Sequence, residues 1–214
     1  MKDMKHVKHM KHEKTLWQRY GKLGLFVGLI VLCTFTGMQM MNARKLEKAE
    51  QASKVYEKML GFMKQEDFKS TSEQAGLLIK EYPKTPYASL AALMMSRIAL
   101  DKKDPTQAIT LLKTVLSLNE KGPLQDIARI RLARILLSET RFQEALDVLP
   151  VNTETKQNSY AMLYEEIRGD IYFKMNELKK AKEAYGKALK AAPPGIPLTS
   201  LQLKYTDLNI KEES

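Results

Sequence analysis

Residues 162–195 read MLYEEIRGDIYFKMNELKKAKEAYGKALKAAPPG, and the reading of this stretch decides the fold. Gly169, Tyr172, Ala181, Tyr185 and Ala188 alternate small with aromatic side chains, and Pro193 closes the run. Small residues are needed where two paired helices cross closely, and the large ones fill the adjoining holes. The segment therefore reads as one helical pair.

Those positions fit the 34-residue tetratricopeptide pattern. Glu165 and Arg168 depart from it, standing where the pattern has an aromatic residue and a leucine. Sliding the template back places Ala145 and Ala108 at the second small position, at spacings of 36 and 37 residues. Both copies keep the apolar periodicity and lose most signature residues, and Tyr56 to Pro83 reads as a fourth, poorer copy. A plain helical bundle would share the stripes but not the recurrent crossing points.

Outside this stretch the pattern is helical as well. Tyr87, Leu90, Ala91, Met94 and Ile98 form one apolar stripe, and Ala108, Leu111, Leu112, Val115 and Leu116 form another. Breaks fall at Tyr82 to Pro86, Asp104-Pro105, Lys121 to Pro123, Pro150 and Pro193 to Gly195. A last stripe at Leu198, Leu201, Tyr205 and Leu208 would close the open end, as stacked repeats require for solubility. The expected fold class is all-α: an N-terminal transmembrane helix, then a tetratricopeptide-like α-solenoid of three to four helical pairs with a C-terminal capping helix.

The transmembrane expectation rests on Leu23 to Met41, LGLFVGLIVLCTFTGMQMM, which sits in a charge-free gap between Lys22 and Arg44. As a helix rising about 1.5 Å per residue, that gap reaches the thickness of a bilayer's hydrocarbon core. A signal peptide would need a shorter apolar region and a small-x-small exit, whereas the exit here is Met40-Met41-Asn42-Ala43. The residues before Cys33 are Val31 and Leu32, which disfavours lipidation, and a core helix would show a polar face. The implied domains are a basic tail over 1–22, a span over 23–41 and a helical domain over 42–214.

Half of the net charge of +10 lies in residues 1–22, where seven Lys or Arg face only Asp3 and Glu13. A basic tail beside a first span favours a cytoplasmic N-terminus, with everything after Met41 on the far side. Trp17 and Tyr20 mark the water interface. His6, His9 and His12 recur at a spacing of three, a row that reads as solvated tail rather than a metal site, because no apolar residues would fix the ligands in position. The rest of the chain is mildly basic with mixed signs, which argues against nucleic acid. Cys33 is the single cysteine and lies in the span, so the domain has no internal disulfide.

Catalysis finds little support. The domain has no histidine for base work, no cysteine nucleophile and no glycine-rich phosphate loop. Paired carboxylates such as Glu165-Glu166 and Glu212-Glu213 read as solvated helix faces. No enzyme, cofactor or metal is expected. Contact surface remains, and the first helix of each pair would line a concave wall. Its template positions are Leu90, Leu93, Arg97 and Leu100, then Ile127, Ile130, Arg134 and Leu137, then Leu163, Glu166, Asp170 and Phe173. Apolar rows crossed by the polar row Arg97, Arg134, Asp170 would hold a helix or an unfolded segment, the charges setting its orientation.

A family resemblance rests on these same residues. The order of a basic tail with Trp17, one span, YPKTPYASLAALMMSRIAL, degenerate repeats, RGDIYFKMNELKKAKEAYGKAL and a closing LQLKYTDL resembles the bacterial ancillary subunit of the Sec translocon. The resemblance runs from about Glu13 to Asn209 and is most specific over Tyr82 to Leu100 and Arg168 to Leu189. It implies a single-pass inner-membrane protein with a periplasmic tetratricopeptide-like domain. Implied partners are the SecYEG channel, a membrane-anchored periplasmic chaperone of the prolyl-isomerase type, and unfolded or nascent clients, besides the lipid bilayer around 23–41. The same fold also suits an assembly protein of another envelope machine, since fold alone does not fix function.

Overall fold

The computed structural model describes residues 3–118, 122–151 and 159–212, with side chains described within the span 27–208. Among the described residues the chain is helical without strands. It divides into two compact units, Met1–Gln51 and Ala52–Ser214. Helix α1, Asp3–Lys64, contributes to both.

In the first unit, Val27, Leu29 to Leu32, Phe35, Met38, Met40 and Met41 are all more than half exposed. The Thr34 hydroxyl donates to the Val31 carbonyl at 2.9 Å and the Thr36 hydroxyl to that of Leu32 at 2.9 Å, so both polar side chains are satisfied inside their own helix. Among the described residues no helix is long and apolar enough to cross a membrane. Residues 23–26 of the expected span and all of the tail side chains, the three histidines included, lie outside the described side chains.

The second unit continues with α2 (Phe68–Glu81), α3 (Pro86–Asp101), α4 (Pro105–Ser117), α5 (Pro123–Ser138), α6 (Phe142–Val148), α7 (Ala161–Lys174), α8 (Leu178–Ala191) and α9 (Thr199–Glu212). Proline opens α3, α4 and α5, where its fixed φ suits the first turn and its missing N–H costs nothing. Asp67 and Asp104 cap α2 and α4, accepting from the Ser70 and Gln107 N–H groups at 3.0 and 2.9 Å.

Four turns of one design divide the second unit into pairs. Glu66, Lys103, Thr140 and Asn176 have φ of 58°, 59°, 59° and 62°, the left-handed conformation that ends a helix. After each, the next N–H reaches five residues back: Asp67 to Phe62, Asp104 to Ala99, Arg141 to Leu136 and Glu177 to Tyr172, at 2.8–3.0 Å. The turns recur at 37, 37 and 36 residues. They join the end of α1 to α2, α3 to α4, α5 to α6 and α7 to α8, so Tyr56 to Pro83 falls on the first of four pairs.

Packing follows the same period. Thr71, Ala108, Ala145 and Ala181, one per second helix, are all fully buried. The crossing position of the first helices holds Met59, Ser96, Ala133 and Gly169, and the position sixteen residues later holds Ala75, Leu112, Leu149 and Tyr185. One shrinks as the other grows. At the last pair the exchange is complete, because a Cβ on Gly169 would lie 2.4 Å from Tyr185 Cε1 and 2.5 Å from its Cδ1.

Helix α9 closes the stack. Its Leu201 and Leu208 are buried among Ala181, Tyr185 and Ala188, with Leu198 and Tyr205 packed beside them. Leu201 and Leu208 stand 37 residues past Tyr164 and Ile171, which are fully buried in α7. By that register α9 stands where the first helix of a pair stands, one face of which is covered by a second helix in the pairs before it. Gln202 and Thr206, on the side such a helix would cover, are polar and exposed.

One expectation about carboxylates is corrected. Glu165 is not on a solvated face: it is 4% exposed, and Arg168 Nε lies 3.4 Å from its Oε1. The two residues that depart from the repeat pattern thus compensate each other. Arg168 also donates to the Pro150 carbonyl at 2.6 Å, which ties α7 to the end of the preceding pair.

Candidate interaction surface

Helices α3, α5 and α7 lie side by side as the first helices of successive pairs. The turns fix equivalent positions on them: Arg97, Arg134 and Asp170 each precede the left-handed residue by six, and Leu100, Leu137 and Phe173 precede it by three. Of the expected wall residues, Arg97, Leu100, Arg134 and Phe173 are exposed. Leu90, Ile127, Leu137, Leu163, Glu166 and Asp170 are half-buried. Leu93 and Ile130 are buried, at 6% and 5% exposure, within the core shared by α3 to α7.

The polar row changes character along the stack. Arg97 is paired with Asp101 on its own helix at 3.0 Å, both largely exposed. Arg134 is exposed and has no hydrogen bond or ion pair among the described residues. Asp170 is doubly partnered: Tyr185 Oη donates to its Oδ1 at 2.8 Å, and Lys204 Nζ from α9 lies 2.8 Å from the same oxygen and 3.0 Å from Oδ2. Lys204 also reaches Glu166 Oε1 at 2.9 Å. Burial alone would lower the Lys204 pKa, but its bonds to Asp170 and Glu166 outweigh that and hold it above the ordinary lysine value. At α7 the polar row is therefore engaged by Lys204 of the chain's own last helix, while Arg97 and Arg134 on α3 and α5 have no cross-helix partner among the described residues.

A second phenol locks the framework. Tyr164 Oη of α7 donates to Asp126 Oδ1 of α5 at 2.6 Å, and Arg129 Nη1 donates to the Val148 carbonyl at 3.0 Å. Burial first, then the bonds to Asp170 and Asp126, push the Tyr185 and Tyr164 pKa values well above the usual tyrosine range.

The sequence reading omitted the first pair's share of this row. Counting back 37 residues from Leu93, Arg97 and Leu100 gives Tyr56, Leu60 and Met63, all half-buried. Tyr56 Oη donates to Met94 Sδ at 3.2 Å, and its ring centroid lies 5.4 Å from that of Tyr87. The period alone would have found them. Lys204 left no such signal, since it is one lysine in a closing helix. Among the described residues no group of His, Cys, Asp and Glu is placed to hold a metal ion.

Helical pairs stacked at a constant period, capped at one end and presenting first-helix side chains in rows, define a repeat-type helical scaffold. The family model of the tetratricopeptide repeat-like domain matches residues 14–210, and the chain belongs to that family. Its relatives include an "Ancillary SecYEG translocon subunit" of Aggregatibacter actinomycetemcomitans, 29% identical over 84% of this chain and 86% of the relative. A protein of the same name from Neisseria gonorrhoeae is 25% identical over 91% of this chain and 93% of its own length. Another, from Buchnera aphidicola subsp. Schizaphis graminum, is 31% identical over 49% of this chain and 53% of its own. The resemblance read from the sequence was to this same group. Their names and the all-helical fold point to a scaffold.

Proposed function

We propose that the protein is a membrane-anchored scaffold of the Sec translocon that assists newly translocated proteins by surface contact. The observation that carries this reading is the likeness, over 84% and 91% of the chain, to proteins named as ancillary SecYEG translocon subunits. The helix over 23–41 is the anchor: its described apolar side chains are exposed, and its threonine hydroxyls are satisfied internally, as a lipid environment requires. The tail over 1–22 faces the cytoplasm and the domain over 42–214 the periplasm, in keeping with the basic residues before the span.

In this reading the first-helix wall binds partners, among them a membrane-anchored chaperone of the prolyl-isomerase type and unfolded clients. Photocrosslinking from Phe35 and from Leu46 tests the reading. Crosslinks from Phe35 to the lateral gate of the channel are expected, and a chain crosslinked only to other envelope proteins would overturn it. A reporter fused after Ser214 should be active outside the cytoplasm alone. Activity in the cytosol would refute the topology.

A further inference from the structure

The repeat register supplies its own comparison of how successive first helices meet. Lys204 of α9 touches Glu166 and Asp170 of α7, the first helix before it. Moving back by 37 and then 36 residues, the position of Lys204 is held by Ile167 in α7 and by Arg131 in α5. Moving back by 36 and 37 residues, the positions of Glu166 and Asp170 are held by Leu93 and Arg97 in α3. Where the last junction sets a cation against two carboxylates, the repeat register puts Arg131 opposite a leucine and another arginine at the α3–α5 junction. Arg134 follows one turn after Arg131. All three arginines are exposed, and Asp101 is the only carboxylate paired with any of them among the described residues.

Like charges gathered on one face repel unless an anion lies between them. The face is also apolar: Leu100 is 37% exposed, and Leu137, at the equivalent position of α5, is half-buried. Guanidinium groups bind carboxylates bidentately, and apolar neighbours exclude water from such pairs.

We propose that the α3–α5 face, through Arg97, Arg131 and Arg134 with Leu100 and Leu137, binds peptide segments in which carboxylates are flanked by large apolar side chains. This deepens the scaffold reading by naming the kind of segment held, and it rests on that reading for biological purpose only. Basic segments are rejected at the same place, so the protein sorts polypeptide stretches by the sign of their charge.

Fluorescence anisotropy with the full chain in detergent tests this, using three labelled twelve-residue peptides that share leucine and phenylalanine positions and carry Glu, Gln or Lys between them. The Glu peptide should bind at least tenfold more tightly than the Gln peptide and lose that advantage as salt rises. The Lys peptide should bind more weakly than the Gln peptide. The double variant R131Q/R134Q should bring the Glu peptide down to the Gln level, while Lys190→Gln on α8 leaves it unchanged. Equal binding of the three peptides, or a Glu preference that survives R131Q/R134Q, overturns the proposal. Because crosslinking to the channel is measured separately, channel crosslinks without peptide discrimination sink this inference alone, and discrimination without crosslinks sinks only the translocon reading.

Discussion

Replacing Gly169 with alanine places a methyl group where the Tyr185 ring already lies, and this makes the crossing of α7 and α8 the most informative point to perturb. The added Cβ would be 2.4 Å from one ring carbon and 2.5 Å from another, about 1 Å inside ordinary contact. The ring has little freedom to yield, being 2% exposed and tethered through its hydroxyl to Asp170 at 2.8 Å. Overpacking against two ring carbons at once falls in the upper part of the usual range, about 2–3 kcal/mol, and the helix preference of alanine over glycine returns about 1 kcal/mol. A net loss of about 1–2 kcal/mol is expected. Tyr185→Leu alone should cost about 2–3 kcal/mol through the emptied ring space and the lost hydrogen bond. In the double variant, alanine occupies part of that space, which reproduces the Ala133 and Leu149 combination of the preceding pair. It should therefore be no less stable than Tyr185→Leu, a coupling of about 1–2 kcal/mol. Urea unfolding of the full chain, followed by far-UV circular dichroism, measures all four corners of the cycle. Single costs that add to within about 0.5 kcal/mol, or a Gly169→Ala chain as stable as its parent, would refute the packing argument.

Other expectations follow from the turns, the cap and the phenols. Thr140→Gly should raise stability by about 0.5–1 kcal/mol, since a β-branched residue at φ 59° is strained and glycine is not, whereas Asn176→Gly should change it little; urea midpoints decide. Lys204→Glu sets a third carboxylate against Glu166 and Asp170, so amide exchange in α9 should accelerate about tenfold or more while α3 to α6 keep their protection. Because Tyr164 and Tyr185 hold their protons above the ordinary tyrosine pKa, the unfolded chain loses protons near pH 10 that the folded chain retains. Stability is then fully present below about pH 10 and falls above it by up to about 1.4 kcal/mol per pH unit for each phenol. Urea titrations at several alkaline pH values should show a shallower fall in the Tyr164→Phe/Tyr185→Phe chain.

The sequence revealed the pairs through Ala108, Ala145 and Ala181 because a helix crossing tolerates only small side chains, and that constraint survives when the rest of a repeat drifts. Prolines exposed the breaks between pairs. The turns within pairs were less legible, since three of the four use Glu66, Lys103 and Thr140 in a conformation that glycine or asparagine ordinarily announces. The wall was legible as a set of positions but not as a surface. Nothing in the composition of α9 says that Lys204 will lie on Glu166 and Asp170, or that Leu93 and Ile130 will be covered by neighbouring helices. Such contacts join residues far apart in the chain, and no local period encodes them. Glu165 shows the same limit from the other side, because a buried acid is readable only with its arginine in view.

The trade in volume from Met59 and Ala75 to Gly169 and Tyr185 means that the four hairpins, alike in backbone, are not interchangeable modules. Transplanting a first helix from one pair into another would force a ring into a methyl group or leave a hole. Recombination between copies is therefore penalised even where the reading frame and length agree. Each pair is keyed to its own mate, and such a chain diverges by coordinated substitutions across a hairpin more readily than by shuffling its parts.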